Sequence, residues 1–223
     1  MKLNEIEQNM WAEQFLPIIE KECSEAVSIF RSTKKLLYRG IVIGPDHNFE
    51  NAKQIGKEAW LGSSPVGRKP LSRPKTRQKQ QDIIDNWLKK NNFKALRSNS
   101  IFTTSLHADA DFYGKPFVIF PINGFSFTHF EESADLFFDL VTFIEREIPR
   151  NYSTDDADRF LEKNIDKVMD KLKPQQSDFA KALLTTHEIA VHGNFYFFSS
   201  NYWLGQIRRA LLSPDKKATQ RLD

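Results

Sequence analysis

Residues 186–198 of the 223-residue chain read THEIAVHGNFYFF. The β-branched and aromatic residues on either side of the glycine predict two short strands, and Glu188 lies at the start of the first one. Two upstream segments also combine strand-forming residues with polar ones. Arg39 lies in the segment LLYRGIVI, and a run of hydroxyl side chains occupies residues 103–105. An arginine, a hydroxyl cluster and a glutamate therefore follow one another on three predicted strands.

The rest of the chain shows blocks of helices and blocks of strands. Helical periodicity predicts helices over 3–33 with a break near Pro17, and over 76–91, 107–113, 133–148, 155–172 and 201–212. Runs of β-forming residues predict strands over 36–43, 95–105, 117–122, 125–130, 189–191 and 195–198. The pair Asn123-Gly124 between two of these strands predicts a central hairpin. This order, which lacks regular βαβ units, predicts an α+β fold.

Length and composition predict a single domain spanning residues 1–223, because a chain with 40% hydrophobic residues can bury one good core. Its parts would be N-terminal helices over 1–34, a basic loop over 62–80 and a helical insertion over 133–173. The single cysteine, Cys23, excludes an internal disulfide and fits a reducing, cytoplasmic compartment. We expect no secretory signal and no membrane span, since no apolar run approaches about 20 residues.

Basic residues cluster in the predicted loop although the formal net charge is only +3. The candidates for binding nucleic acid are Arg68, Lys69, Arg73, Lys75 and Arg77. Such a cluster, without an acidic residue among its members, favours a partner that carries phosphates. A solvated surface loop is the alternative interpretation of the same residues.

Common cofactor and metal motifs do not occur in the sequence. The glycine spacing matches neither the dinucleotide-binding G-x-G-x-x-G nor the phosphate-binding P-loop. His187-Glu188 followed by His192 approximates the zinc motif H-E-x-x-H, but the second histidine comes one residue too late. We therefore expect neither a Rossmann nucleotide site nor a metal.

The three polar motifs resemble those of mono-ADP-ribosyltransferases of the arginine, Ser-Thr-Ser, glutamate type. Residues 38–40 (YRG) match the family's aromatic-Arg-Gly, and residues 102–105 (FTTS) match its aromatic-Ser-Thr-Ser. Residues 188–195 (EIAVHGNF) match the family's third motif, in which a glutamate precedes a strand that is followed by a glycine and an aromatic residue. Thr186 departs from the arginine-modifying branch, which has Glu or Gln at that position. Residues 97–102 are also similar to ADP-ribosyltransferase-like proteins of phages and toxins.

The resemblance implies a split β-sandwich core and an enzyme that uses NAD as substrate without a metal. It implies catalytic roles for Glu188, Arg39 and Thr103. The NAD-binding residues that it implies are Tyr38, Arg39, Gly40, Thr103, Thr104, Ser105, Phe120 and Phe127. Strand alternation puts Thr103 and Ser105 on one face, where we expect their hydroxyls to meet Glu188. Tyr113 is a further aromatic candidate for the nicotinamide pocket.

The hypothesis is an ADP-ribosyltransferase of the toxin or phage-conflict type, with a macromolecular acceptor and a neutralising antitoxin as a possible partner. The basic cluster favours nucleic acid, RNA or DNA, over protein as acceptor. Two alternatives stay open: a non-catalytic module with the same fold, and an NAD glycohydrolase that transfers ADP-ribose to water. The transferase requires that residues 39, 103 and 188 converge on one cleft. An unrelated ion pair at Glu188 would count against it.

Overall fold

A computed structural model describes residues 10–42, 52–64, 75–148 and 152–212. These ranges contain both helices and antiparallel strands, which confirms the mixed α+β class. The helices are α1 (Met10–Gln14), α2 (Leu16–Glu22), α3 (Ser24–Thr33), α4 (Lys75–Lys90), α5 (His107–Phe112), α6 (Leu136–Glu147), α7 (Thr154–Leu172), α8 (Phe179–Leu184) and α9 (Ser200–Leu212). The strands are β1 (Leu37–Ile41), β2 (Lys53–Gly56), β3 (Ala59–Ser63), β4 (Ile101–Thr103), β5 (Lys115–Pro121), β6 (Ser126–Phe130), β7 (Pro174–Gln175), β8 (Ile189–His192) and β9 (Asn194–Ser199).

The strands form two antiparallel sheets. The five-stranded sheet has the order β1-β5-β9-β3-β2, and the four-stranded sheet has the order β4-β8-β6-β7. One bridge connects β1 to the end of β4: Tyr38 N donates to Thr104 O at 2.7 Å, and Thr104 N donates to Tyr38 O at 2.8 Å. The two sheets therefore meet where the start of β1 lies beside the end of β4.

The predicted central hairpin is wrong. Strand β5 pairs with β1 and β9, whereas β6 pairs with β7 and β8, so the turn at Asn123-Gly124 carries the chain from one sheet to the other. Gly193 marks a second crossing of this kind, between β8 and β9. Gly124 has φ +82° and Gly193 has φ +136°, which a residue without a Cβ adopts readily. A local turn signal thus identifies the bend but not the pairing of the strands beside it.

An aromatic core supports the five-stranded sheet. Helices α3 and α9 pack on β5, and α1 packs on α9. The rings of Trp11, Phe30 and Phe198 surround Phe120, with centroid distances of 5.9, 5.7 and 5.7 Å. Each such aromatic pair adds about 0.5–1.5 kcal/mol to the hydrophobic gain from burial. The core consequently holds β5 and β9 rigidly in the centre of their sheet.

A second hydrophobic cluster lies among α4, α6 and α7. Its buried side chains include Leu88, Leu140, Leu161 and Met169, and Phe130 of β6 joins it from the four-stranded sheet. Two of these helices, α6 and α7, belong to the segment 133–173 that the sequence marks as an insertion. No helix in the described ranges has both the length and the apolar character needed to cross a bilayer.

Candidate active site

The junction of β1, β4 and β8, which we call the seam, brings the three predicted motifs together. In the β4–β8 register Phe102 lies opposite Ala190 and Thr103 opposite Ile189, so the next step along both chains places Thr104 opposite Glu188. Because side chains alternate along a strand, Phe102, Thr104 and Glu188 share one face. The Tyr38–Thr104 bridge adds the arginine-bearing strand β1 at the same place.

The orientation predicted for the hydroxyl run requires a correction. Thr103 is only 3% exposed, and its Oγ1 donates to the carbonyl of Ile189 at 2.7 Å instead of contacting the Glu188 carboxylate. Ser105 is buried on the same inner side, and its hydroxyl has no partner within the described part of the chain. Thr104 is half-buried and accepts a hydrogen bond from Leu106 N at 3.1 Å. The hydroxyl on the face of Glu188 is therefore that of Thr104.

Glu188 forms an ion pair that sequence reasoning missed. Arg97 Nη1 lies 2.6 Å from Glu188 Oε1, while the carboxylate side chain keeps 31% of its surface exposed. Arg97 also lies over the ring of Phe102, with its Cζ 4.4 Å from the ring centroid. Arg97 begins the segment 97–102 that carries part of the resemblance, but it lies in irregular structure before β4, where the sequence predicts a strand from residue 95. The pair is the arrangement that counts against a catalytic glutamate unless Arg97 itself belongs to the site.

Arg39 reaches the same strand from β1. It is half-buried, and its Nη1 lies 3.5 Å from the carbonyl oxygen of Phe102, a long contact for a hydrogen bond. Arg39 thus contacts the backbone of Phe102, whereas Arg97 contacts its ring. Two guanidinium groups at one seam offer several N–H donors to an anionic ligand.

The neighbours of Arg39 in the aromatic-Arg-Gly motif have packing roles. Tyr38 is buried, with its ring edge-on to His107 at 5.3 Å. A Cβ on Gly40 would lie 2.0 Å from the carbonyl oxygen of Ala110, so only glycine lets α5 approach β1 this closely. Both residues position α5 against the strand. Direct contact with a ligand is not needed to explain them.

The aromatic residues separate clearly by exposure. Phe120 has no exposed surface, and Phe127 packs on Phe179 at 5.0 Å, so neither contributes a ring to the seam. This corrects their assignment as NAD-binding residues. Tyr113, which follows α5, is 63% exposed. Partial burial and then the charges of Asp135, Glu188 and Asp109 raise its pKa.

Three of the predicted nucleic-acid contacts, Arg68, Lys69 and Arg73, lie outside the described residues. Lys75 and Arg77 belong to the first turns of α4, but their side chains also lie outside the description. The prediction for the basic cluster therefore stays a prediction. Within the described ranges no three His, Cys, Asp or Glu side chains are grouped as a metal site would require.

A cavity of about 370 Å³ lies away from the seam, lined among others by Glu25, Lys94, Phe127 and Phe179. Phe127 is the only residue among our predicted site residues that lines it. Its walls hold one acid, one lysine, two serines and a glutamine beside the apolar groups. The seam is the stronger candidate because Arg97 contacts both Glu188 and the Phe102 ring there, and Arg39 contacts the carbonyl of Phe102.

A serine–histidine pair adjoins β3 but lacks the geometry of a nucleophile. His192 Nδ1 lies 2.9 Å from the carbonyl oxygen of Asn99 and 3.1 Å from Ser64 Oγ. Since a carbonyl only accepts, Nδ1 carries the proton and cannot remove one from Ser64. Gly193 N donates to Ser64 Oγ at 3.0 Å, which completes a structural contact.

The seam thus presents a carboxylate with one oxygen held and the other available, arginines beside it and an exposed tyrosine ring. Guanidinium groups attract an anionic ligand, and a carboxylate stabilises positive charge that develops beside it. No protein-family model, curated protein or solved structure matches this chain. Its function must therefore be inferred from the motifs and their geometry.

Proposed function

We propose that the protein is a mono-ADP-ribosyltransferase that cleaves NAD at the nicotinamide–ribose bond and transfers ADP-ribose to a macromolecular acceptor. The observation that carries the proposal is the convergence of three strands at the seam. Through the Tyr38–Thr104 bridge and the β4–β8 register, motifs separated by 149 positions, from Arg39 to Glu188, come to one junction. Arg39 lies in the middle of β1, Thr103 ends β4, and Glu188 directly precedes β8.

The chemistry assigned to Glu188 is electrostatic. As the bond between the ribose C1′ and the nicotinamide nitrogen breaks, its electron pair leaves with nicotinamide and positive charge develops on the ribose ring. A carboxylate that accepts a hydrogen bond from the ribose 2′-hydroxyl stabilises this charge most in the transition state. The acceptor then attacks C1′ through a nucleophilic atom and loses its proton to solvent or to a base.

Arg39 and Tyr113 receive the binding roles. The planar fork of an arginine donates two parallel hydrogen bonds to phosphate oxygens, so Arg39 in the middle of β1 suits the pyrophosphate. The exposed ring of Tyr113 suits the face of nicotinamide, and its backbone lies against Gly40, the residue after Arg39. Thr103 receives a supporting role, because its hydroxyl fixes the carbonyl of the residue after Glu188.

A non-catalytic module with the same fold is the second candidate. The Arg97–Glu188 ion pair favours it, because a glutamate bound by an arginine is also a common structural arrangement. In that case Glu188 would stabilise the seam and NAD would not be consumed. An NAD glycohydrolase would use the same site with water as the acceptor.

The test is release of nicotinamide from NAD, measured by chromatography for the wild type and for Glu188→Gln. We expect the substitution to lower the rate at least about 100-fold, since it removes a preorganised charge at the reacting ring. Glu145→Gln, which removes an exposed charge from α6, is the matched control and should leave the rate unchanged. A wild-type protein that releases no nicotinamide with any acceptor would leave the non-catalytic module as the function.

A further inference from the structure

Arg97 is held by contacts that do not depend on Glu188. The buried carboxylate of Asp85 on α4, only 3% exposed, accepts Arg97 N at 2.8 Å and Ser98 N at 3.0 Å. The guanidinium lies over the Phe102 ring, with its Cζ 4.4 Å from the ring centroid. The Arg97 side chain is 9% exposed, so it has little freedom to adopt another rotamer. Arg97 is therefore in place before any ligand arrives.

Glu188, in contrast, has few restraints of its own. It lies just before β8, its backbone N–H donates to Ala134 O at 3.3 Å, and its side chain is partly exposed. A free glutamate side chain loses rotamer entropy when it is fixed in one position. The bond from Arg97 to Oε1 supplies this restraint and leaves Oε2 without a hydrogen bond inside the described ranges.

We propose that Arg97 is the positioning residue of the site, anchoring one carboxylate oxygen of Glu188 so that the other faces the ribose. This inference rests on the proposed NAD cleavage and adds to it a residue outside the three motifs. Asp85 on α4 holds the backbone of Arg97, and Arg97 in turn holds the carboxylate of Glu188. Catalytic groups need such support because a displacement of about 1 Å can cost about 100-fold in rate.

Steady-state kinetics of NAD cleavage separate positioning from binding. We expect Arg97→Gln to lower kcat about 100-fold while KM for NAD stays unchanged, because the interaction serves the transition state. Arg97→Lys should recover part of the loss, since an ammonium still donates to Oε1. Arg31→Gln, which removes an exposed arginine from another ion pair, should behave as the wild type. A raised KM with unchanged kcat would mean that Arg97 binds NAD directly, and the inference would be wrong.

A double-mutant cycle gives a second readout. If Arg97 acts only through Glu188, Arg97→Gln in a Glu188→Gln background should cause no further loss of kcat. Additive losses, or faster turnover by Arg97→Gln alone, would overturn the inference. If Arg97→Gln fails to fold, Asp85→Asn and Arg97→Lys decide by the same criterion: kcat must fall at constant KM. A wild type without NAD turnover would instead refute the proposed function itself.

Discussion

Neighbouring residues of β4 have opposite tasks because a strand alternates its faces. Thr103 points into the core and fixes the carbonyl beside Glu188, while Thr104 lies on the face that carries the carboxylate. A threonine suits the inner position, since its methyl group is buried and its hydroxyl finds a backbone acceptor. The same logic makes Arg97 informative. A buried arginine needs a partner, and here that partner is the candidate catalytic group.

Gly40 provides a test of how α5 is placed. A methyl group at this position would overlap the carbonyl oxygen of Ala110, and backbone cannot rotate away as a side chain can. We expect Gly40→Ala to lower the free energy of unfolding by about 1–3 kcal/mol, as overpacking does. Urea denaturation followed by circular dichroism measures the change. Because α5 leads into Tyr113, KM for NAD should rise as well.

Gly205→Ala is the matched control for this substitution. Gly205 lies in α9, and a Cβ there would meet no atom within 4 Å among the described residues. The change should stabilise the protein by about 0.5–1 kcal/mol, because alanine reduces the entropy of the unfolded chain. Equal effects of the two substitutions would show that α5 does not lie against β1 as described.

His129 makes the stability depend on pH. It is fully buried in β6, and neither ring nitrogen has a hydrogen-bond partner inside the described ranges. Burial lowers its pKa below 6.5, outweighing the opposing effect of Glu131; His187 and Lys181 lower it further, and Asp178 raises it. Above about pH 6.5 the histidine is neutral in both states. As the pH falls below that value, the unfolded chain binds a proton first and stability is lost.

Unfolding experiments across this pH range test the role of His129. The wild type should lose stability as the pH drops from about 6.5 toward the folded-state pKa, with a slope of at most about 1.4 kcal/mol per pH unit. His129→Gln stays uncharged and should show a smaller loss over the same range. Parallel curves for the two proteins would exclude His129 as the cause.

At the scale of elements, the sequence predicts local structure better than strand pairing. The helices over 76–91 and 155–172 match α4 and α7 within one residue, since both have a regular apolar stripe. Strands β2 and β3 escape prediction. Their sequences, KQIG and AWLGS, contain glycine and few β-forming residues, and β3 owes its structure to pairing with β9. Propensity cannot supply that tertiary contribution.

The seam shows the same division between local and tertiary information. The motifs around Arg39 and Glu188 are readable because each lies on a recognisable strand. The face of β4 that meets Glu188 depends on the register with β8, which no local pattern specifies. The partnership of Arg97 with Glu188 spans 91 positions and is equally invisible in the sequence.

Ser64 tests how β3 is attached to the turn between β8 and β9. Its hydroxyl accepts a hydrogen bond from Gly193 N, and its own N–H donates to Gly193 O at 2.8 Å. Ser64→Ala should lower the free energy of unfolding by about 1–3 kcal/mol, because buried polar groups lose their partner. Ser32→Ala, an exposed serine in α3, should change it by less than about 0.5 kcal/mol. Covalent labelling of Ser64 by a fluorophosphonate would contradict its structural role.

At the scale of the whole molecule, each of the two hydrophobic cores supports a different element at the seam. The aromatic core fixes β1 through β5, and the helical cluster fixes α4, which carries Asp85 next to the buried Ile84. The position of Glu188 relative to Arg39 therefore depends on both cores. This dependence gives the helical segment 133–173 a supporting role, since α7 packs on α4 and α6 packs on α7.

The choice of acceptor also depends on the whole chain, because a macromolecular acceptor must reach the seam and also bind to a second surface of the protein. We predict that labelled NAD marks RNA or single-stranded DNA, and that nuclease treatment removes the label. Replacing Arg68, Lys69 and Arg73 by glutamine should weaken labelling of nucleic acid. It should also reduce the slope of the logarithm of affinity against the logarithm of salt concentration, by about 0.7–0.9 for each phosphate contact that is lost. Release of nicotinamide should stay unchanged, since the prediction assigns these residues to the acceptor and not to NAD.

The control for this charge effect removes three exposed lysines elsewhere, Lys34, Lys89 and Lys90, again by glutamine. Both triple variants have the same net charge, so a general electrostatic attraction would weaken labelling equally in the two proteins. A specific basic surface predicts a loss only when Arg68, Lys69 and Arg73 are replaced.

Label that stays on protein after nuclease treatment would refute the nucleic-acid acceptor, and NAD loss without any labelled macromolecule would identify water as the acceptor. Either result would leave the assignment of Glu188 intact, because bond cleavage and acceptor choice depend on different residues.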